Sequence, residues 1–144
     1  MAAQTPLSEF RLDRRVQFYE TDAAGIVHFS WYPRYMEEAE HAMWRAAGLS
    51  IHAPGDAYGW PRVALTVDYL APLRFEDAFT ITIWVAELGT RSMRYGCELS
   101  RGGTRVATGS MTIACVTRDA GDAVRSTALP DIVRERFAVS EARR

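Results

Sequence analysis

From residue 31 to residue 47 the apolar side chains Tyr32, Tyr35, Met36, Ala39, Met43 and Ala46 recur at helical spacing. Glu37, Glu38, Glu40 and Arg45 fill much of the other side, which reads as a solvated face of an amphipathic helix or as contacts between subunits. Ser30 is placed to cap the start, Pro33 is tolerated in the first turn, and Gly48 is the expected stop. Such a helix spans about 25 Å at ~1.5 Å per residue. Its apolar stripe must be buried against something, and the rest of the chain says what.

The rest has period two. Phe10, Leu12, Val16 and Phe18 suggest a first strand over 10–18, after a loose arm at 1–9. Beyond the helix and a Pro- and Gly-rich loop at 49–61, four segments alternate. The first carries Val63, Leu65, Val67 and Tyr69, the second Phe79, Ile81, Ile83 and Val85, and the third Met93, Tyr95, Cys97 and Leu99; the fourth is a mostly apolar run from Val106 to Val116. The breaks between them are short, and Gly102–Gly103 is a hairpin signal. Tight turns make neighbouring strands antiparallel. The expectation is an α+β fold, a five-stranded antiparallel sheet covered by one long helix, forming one domain over 1–144. Pro130–Arg136 reads as a short surface helix. Sheet edges left open by a lone helix predict assembly into a homodimer or larger.

A 48% hydrophobic content supports a real core. A net charge of -1 and a pI near 6.3 exclude a general electrostatic grip on nucleic acid and leave only local basic spots for a small anion. Cys97 and Cys115 lie in apolar runs and read as buried thiols of a reducing compartment, and three scattered histidines make no metal site. With neither a signal-peptide pattern nor an apolar run long enough for a membrane span, the expected location is the cytoplasm.

The chemistry concentrates before the helix. Asp22 opens a turn ending at Gly25, as a type I turn prefers, and His28, Phe29 and Ser30 lead into the helix. On turn chemistry alone, Asp22 could equally be a turn-former that caps its own backbone. A helix start offers unpaired N–H groups and partial positive charge. A carboxylate beside such donors can attack, or activate water against, a carbonyl whose oxygen the donors hold.

These residues carry a resemblance. Asp22–Phe29 followed by Tyr32–Ala39 resembles the 4-hydroxybenzoyl-CoA thioesterase family, whose relatives include small acyl-CoA thioesterases associated with the Tol–Pal system. Val67–Asp77 and Arg91–Tyr95 look like further segments of that family, so the resemblance covers about residues 10–118. It implies a hotdog fold, a sheet wrapped around a central helix, working as a dimer or a dimer of dimers (a homotetramer). It implies hydrolysis of an acyl-CoA with an aromatic or short to medium acyl group, without metal or redox cofactor. It places the catalytic carboxylate at Asp22 and an oxyanion-holding N–H at Phe29. The family carries an aromatic where this chain has His28, so the histidine is displaced by one position; it reads as pocket wall, or as a hydrogen-bond partner for water or Asp22. Tyr32 and Trp60 are candidate acyl-pocket residues, with Trp31 and Pro61 nearby in sequence. Arg91, Ser92 and Arg94 are candidates for the coenzyme A phosphates, with Arg74 and Arg118 as further arginines. The alternatives are a non-catalytic acyl-CoA or acyl-carrier binding module, a thioesterase acting on acyl-carrier protein, and a dehydratase on the same scaffold.

Overall fold

The computed structural model describes residues 4–143. The elements in chain order are β1 (Glu9–Arg15), α1 (Trp31–Ala46), β2 (Tyr58–Gly59), β3 (Arg62–Tyr69), β4 (Ala78–Leu88), β5 (Ser92–Arg101), β6 (Thr104–Ala114), β7 (Val116–Arg118), β8 (Val124–Ser126) and α2 (Asp131–Arg136). Five strands form one antiparallel sheet in the order β1-β4-β5-β6-β3. A second small sheet, β2-β7-β8, draws part of the long loop and the segment after β6 together. No helix among the described residues is long and apolar enough to cross a membrane.

Helix α1 lies on one face of the large sheet. Tyr35, Met36, Ala39 and Met43 are fully buried against Ile81, Ile83, Tyr95, Cys97, Met111 and Ile113. Gly109 on β6 permits the close approach. A Cβ there would stand 2.6 Å from Met36 Cε and 2.8 Å from the Thr66 carbonyl oxygen. This is the hotdog arrangement, with one rod wrapped by one sheet.

Three local expectations change. The first strand ends at Arg15, and Phe18 instead begins a 3-10 turn (Phe18–Glu20) and is largely exposed. The described part of the N-terminal arm is pinned rather than loose, because the Leu7 N–H donates to Arg136 O at 2.9 Å and the Val85 N–H to Ser8 O at 2.9 Å; residues 1–3 of the expected arm lie outside the described residues. Helix α2 is the expected short surface helix, seated on the core by Val133 and the following Phe137. Glu40 is not on a solvated face. It is 0% exposed and paired with Arg62 at 3.0 Å.

The pairing with Arg62 follows from a break in the β3 ladder. The register slips between Arg62 and Ala64. Strict alternation puts Arg62 on the outer face with Ala64, Thr66 and Asp68; one bulged residue switches it to the helix face. There its guanidinium bonds Glu37 at 3.1 Å and Glu40 at 3.0 Å, tying the start of an edge strand to the middle of α1.

Candidate active site

The segment between β1 and α1 folds back on itself. Residues Thr21 and Val27 form an isolated antiparallel bridge, the Asp22 N–H donates to Ile26 O at 2.9 Å, and the His28 N–H donates to Glu20 O at 2.8 Å. Gly25 has φ +79°, the left-handed conformation that the turn requires and glycine adopts without strain. The turn is fastened to the β3–β4 connection by the Val27 N–H, which donates to Leu73 O at 2.8 Å. Asp22 is thereby fixed at the turn's start. Its Oδ1 accepts the Ala24 N–H at 2.9 Å, which is the expected capping bond.

The approach to α1 then uses up its N–H groups one by one. His28 donates to Glu20 O, Ser30 to His28 Nδ1 at 3.3 Å, Trp31 to His28 O at 3.0 Å and Tyr32 to Phe29 O at 3.4 Å. Pro33 has none. Phe29 is the one residue of this run whose N–H has no acceptor among the described residues. No acidic side chain lies in the first turn of α1, so the positive end of the helix is not neutralised there. Ser30 does not cap the helix. Its hydroxyl bonds His28 Nδ1 at 2.8 Å instead.

Asp22 and Phe29 line one open cleft of about 580 Å³, with Ile26, Val27, Tyr32, Tyr69, Leu70, Ala71, Pro72 and Arg74. The walls are mostly apolar and aromatic. Tyr32 and Tyr69 meet edge to face, 4.9 Å between ring centres, and burial raises the Tyr32 phenol above its ordinary value. The Tyr69 hydroxyl donates to Phe29 O at 3.0 Å, which steadies the peptide next to the free N–H. Arg74 stands at the rim.

The other candidates fall elsewhere in this protomer. His28 is half-buried and is not among the residues lining the cleft. Trp60 packs edge-on to Trp44, 5.1 Å away, beside the last turns of α1. Arg91, Ser92 and Arg94 lie where β4 turns into β5; Arg91 donates to Ser126 O and Arg94 pairs with Glu87. The cleft lies beside the start of β4, which pairs with the far end of β5, as Thr80 opposite Ser100 shows. Along β5, Arg94 is thus about 20 Å and Arg91 about 30 Å from that end, at ~3.3 Å per strand residue. Arg118 is on β7 and pairs with Asp122. Both thiols are buried, and burial pushes the Cys115 thiol up to about 11.

Three residues that matter here are given no site role in the sequence reading. Glu20, Tyr35 and Arg14 form a buried network beneath the turn. Glu20 Oε1 accepts from Tyr35 at 2.9 Å and from Arg14 at 2.8 Å. Burial alone would raise the Glu20 carboxyl, but the Arg14 guanidinium, the Gln17 N–H and the Tyr35 hydroxyl outweigh it and hold it below the ordinary value of 4.5. The sequence offers one signal for this, an acid two positions before Asp22, and alternation cannot show that it points inward.

Comparison with known proteins agrees with this fold. A candidate esterase of Aquifex aeolicus (strain VF5) is 44% identical over 77 residues, 52% of this chain and 59% of that protein. A 1,4-dihydroxy-2-naphthoyl-CoA hydrolase of Synechococcus sp. (strain CC9605) is 31% identical over 129 residues, 83% of each chain. The solved structure of a gentisyl-coenzyme A thioesterase superposes with a TM-score of 0.79 at 30% identity, over 90% of this chain and 100% of that one. The family model of the thioesterase-like superfamily matches residues 16–137, and the chain belongs to that superfamily.

Proposed function

We propose that this protein is an acyl-CoA thioesterase that hydrolyses a coenzyme A thioester at the Asp22 cleft. The observation that carries the reading is the pairing, in one cleft, of the Asp22 carboxylate with the unpartnered Phe29 N–H at the unneutralised start of α1. The thioester carbonyl oxygen accepts from Phe29. Negative charge grows on that oxygen as the carbon is attacked, and a preorganised donor of this kind is worth about 2.7–4 kcal/mol of barrier.

Asp22 acts by one of two balanced routes. As a base it takes a proton from water while the water oxygen attacks the carbonyl carbon; the C–S bond then breaks, and the proton passes from Asp22 to the leaving thiolate. As a nucleophile it attacks the carbon itself, the thiolate leaves, and water cleaves the resulting mixed anhydride. The cleft's rings (Phe29, Tyr32, Tyr69) favour a flat acyl group, and the names of the naphthoyl-CoA and gentisyl-CoA relatives point the same way.

The working unit in this reading is a dimer. Strand β3 is an outer strand of the sheet and exposes Val63, Leu65, Tyr69 and the adjoining Leu70. Two copies pairing antiparallel along β3 about a twofold axis set the start of one β3 beside the end of the other. That brings Trp60 of the partner subunit, with its β4–β5 arginines, toward the end of the molecule where this Asp22 lies. Trp60, Arg91, Ser92 and Arg94 thereby take up acyl and phosphate contacts that they cannot make within their own protomer.

The test is thiol release from a panel of aromatic, short and long acyl-CoAs. The expected result is turnover by wild type, with Asp22→Asn folded and retaining at most about a hundredth of the rate. Undiminished turnover by Asp22→Asn would refute the assignment. Binding of acyl-CoA without thiol release would favour the non-catalytic module.

A further inference from the structure

We propose that Glu20 is a positioning residue for this reaction: its buried carboxylate, held by Arg14 and Tyr35, sets the Asp22 turn and the Phe29 N–H in register with each other. The proposal rests on the roles given above to Asp22 and Phe29.

Glu20 is 0% exposed, although the turn it enters lies at the surface. Its Oε1 accepts three hydrogen bonds, from the Gln17 N–H at 2.8 Å, Arg14 Nη1 at 2.8 Å and the Tyr35 hydroxyl at 2.9 Å. Its Oε2 lies 2.6 Å from Arg14 Nη2, an ion-pair contact without hydrogen-bond alignment. Each donor belongs to a different piece of structure: Arg14 to β1, Gln17 to the entry of the 3-10 turn, Tyr35 to the second turn of α1. The Arg14 guanidinium also stacks over the Tyr35 ring at 4.6 Å, and its Nε bonds Glu38 of α1 at 3.0 Å. Meanwhile the Glu20 main-chain carbonyl accepts the N–H of His28, the neighbour of Phe29. One residue therefore closes the mouth of the turn with its backbone and bolts it to the helix with its side chain.

An apolar residue of similar size would fill the same space with a smaller desolvation cost. It would not fix direction. Packing sets volume, whereas three convergent hydrogen bonds set the angle between turn and helix, and that angle decides whether Asp22 and the Phe29 N–H address the same carbonyl. A displacement of about 1 Å at a reacting centre costs on the order of a hundredfold in rate.

The experiment compares kcat and KM of wild type, Y35F, E20Q, D22N and the E20Q/D22N double variant on one acyl-CoA, with a thermal melt of each. The expected result is a kcat lowered by about ten- to a hundredfold in Y35F and E20Q with KM within about twofold. The double variant is expected to be slower than D22N by much less than the E20Q factor, because the carboxylate that Glu20 holds in register with the Phe29 N–H is already gone. Wild-type kcat in Y35F and E20Q overturns the proposal, as does a double variant slower than D22N by the full E20Q factor. If E20Q does not fold, Y35F keeps the Arg14 pair and decides alone. Full turnover by D22N overturns the Asp22 reading and this proposal together; an inactive D22N beside an unimpaired Y35F overturns this proposal only.

Discussion

Glu20 and Asp22 are two carboxylates two residues apart with opposite surroundings. Asp22 is half-buried at a cleft wall and capped by one N–H. Glu20 is sealed among donors that favour its charge. Its folded value is depressed, so the stability it contributes is complete above the ordinary carboxylate value of 4.5 and is lost as pH falls through the lower, folded value. Wild type should therefore lose thermal stability more steeply than E20Q as pH falls from about 6 to about 3, because the variant has no proton to take up there. Parallel melting-temperature curves for the two proteins over that range would contradict the ionised, clamped state of Glu20.

At the scale of elements, the link from β3 to α1 is made by a misfit in the sheet. The bulge beside Val63 turns Arg62 inward, where it pairs with Oε1 of the buried Glu40 carboxylate. Breaking such a pair from one side costs about 3–5 kcal/mol. Because a quarter of the Arg62 side chain is exposed, R62A is expected at the low end, about 3 kcal/mol in urea denaturation. Replacing both partners by apolar residues, R62M with E40L, should cost less than R62A, since no charge is then left buried. A double replacement costing more than R62A would show that the pair stabilises by more than mutual compensation.

For the whole molecule the decisive feature is an open edge. The sheet closes on one side with β1, which the C-terminal segment flanks through the Arg143 bond to Glu9 at 3.1 Å, and ends on the other with β3 and its exposed apolar residues. Leu65→Lys places a charge in the middle of that edge without touching the Asp22 cleft. If the proposed β3 dimer is the working unit, the expected result is a shift from dimer to monomer in analytical ultracentrifugation and turnover reduced by about tenfold or more, because that proposal has the second copy supply groups to the site. A monomeric L65K with full activity would show that one protomer suffices.

Much of the fold was legible in the residue order, because burial imposes a period. A 3.6 period over α1 and a period of two over β3 to β6 follow from which side chains must leave water, and tight turns then force antiparallel neighbours. The turn from Asp22 to Gly25 was legible too, since turn chemistry is local, whereas the roles proposed for Asp22 and Phe29 came from the family resemblance and not from the residues alone. What is decided only in three dimensions is polarity that faces inward. Glu40 carries the same charge as Glu37 and Glu38, and a bulge on a strand more than twenty positions later makes it a core residue. Glu20 became the clamp of the site because Arg14 and Tyr35 converge on it from two other elements. Local pattern tells which side chains avoid water; only the packed chain tells which charged groups have found partners good enough to join them.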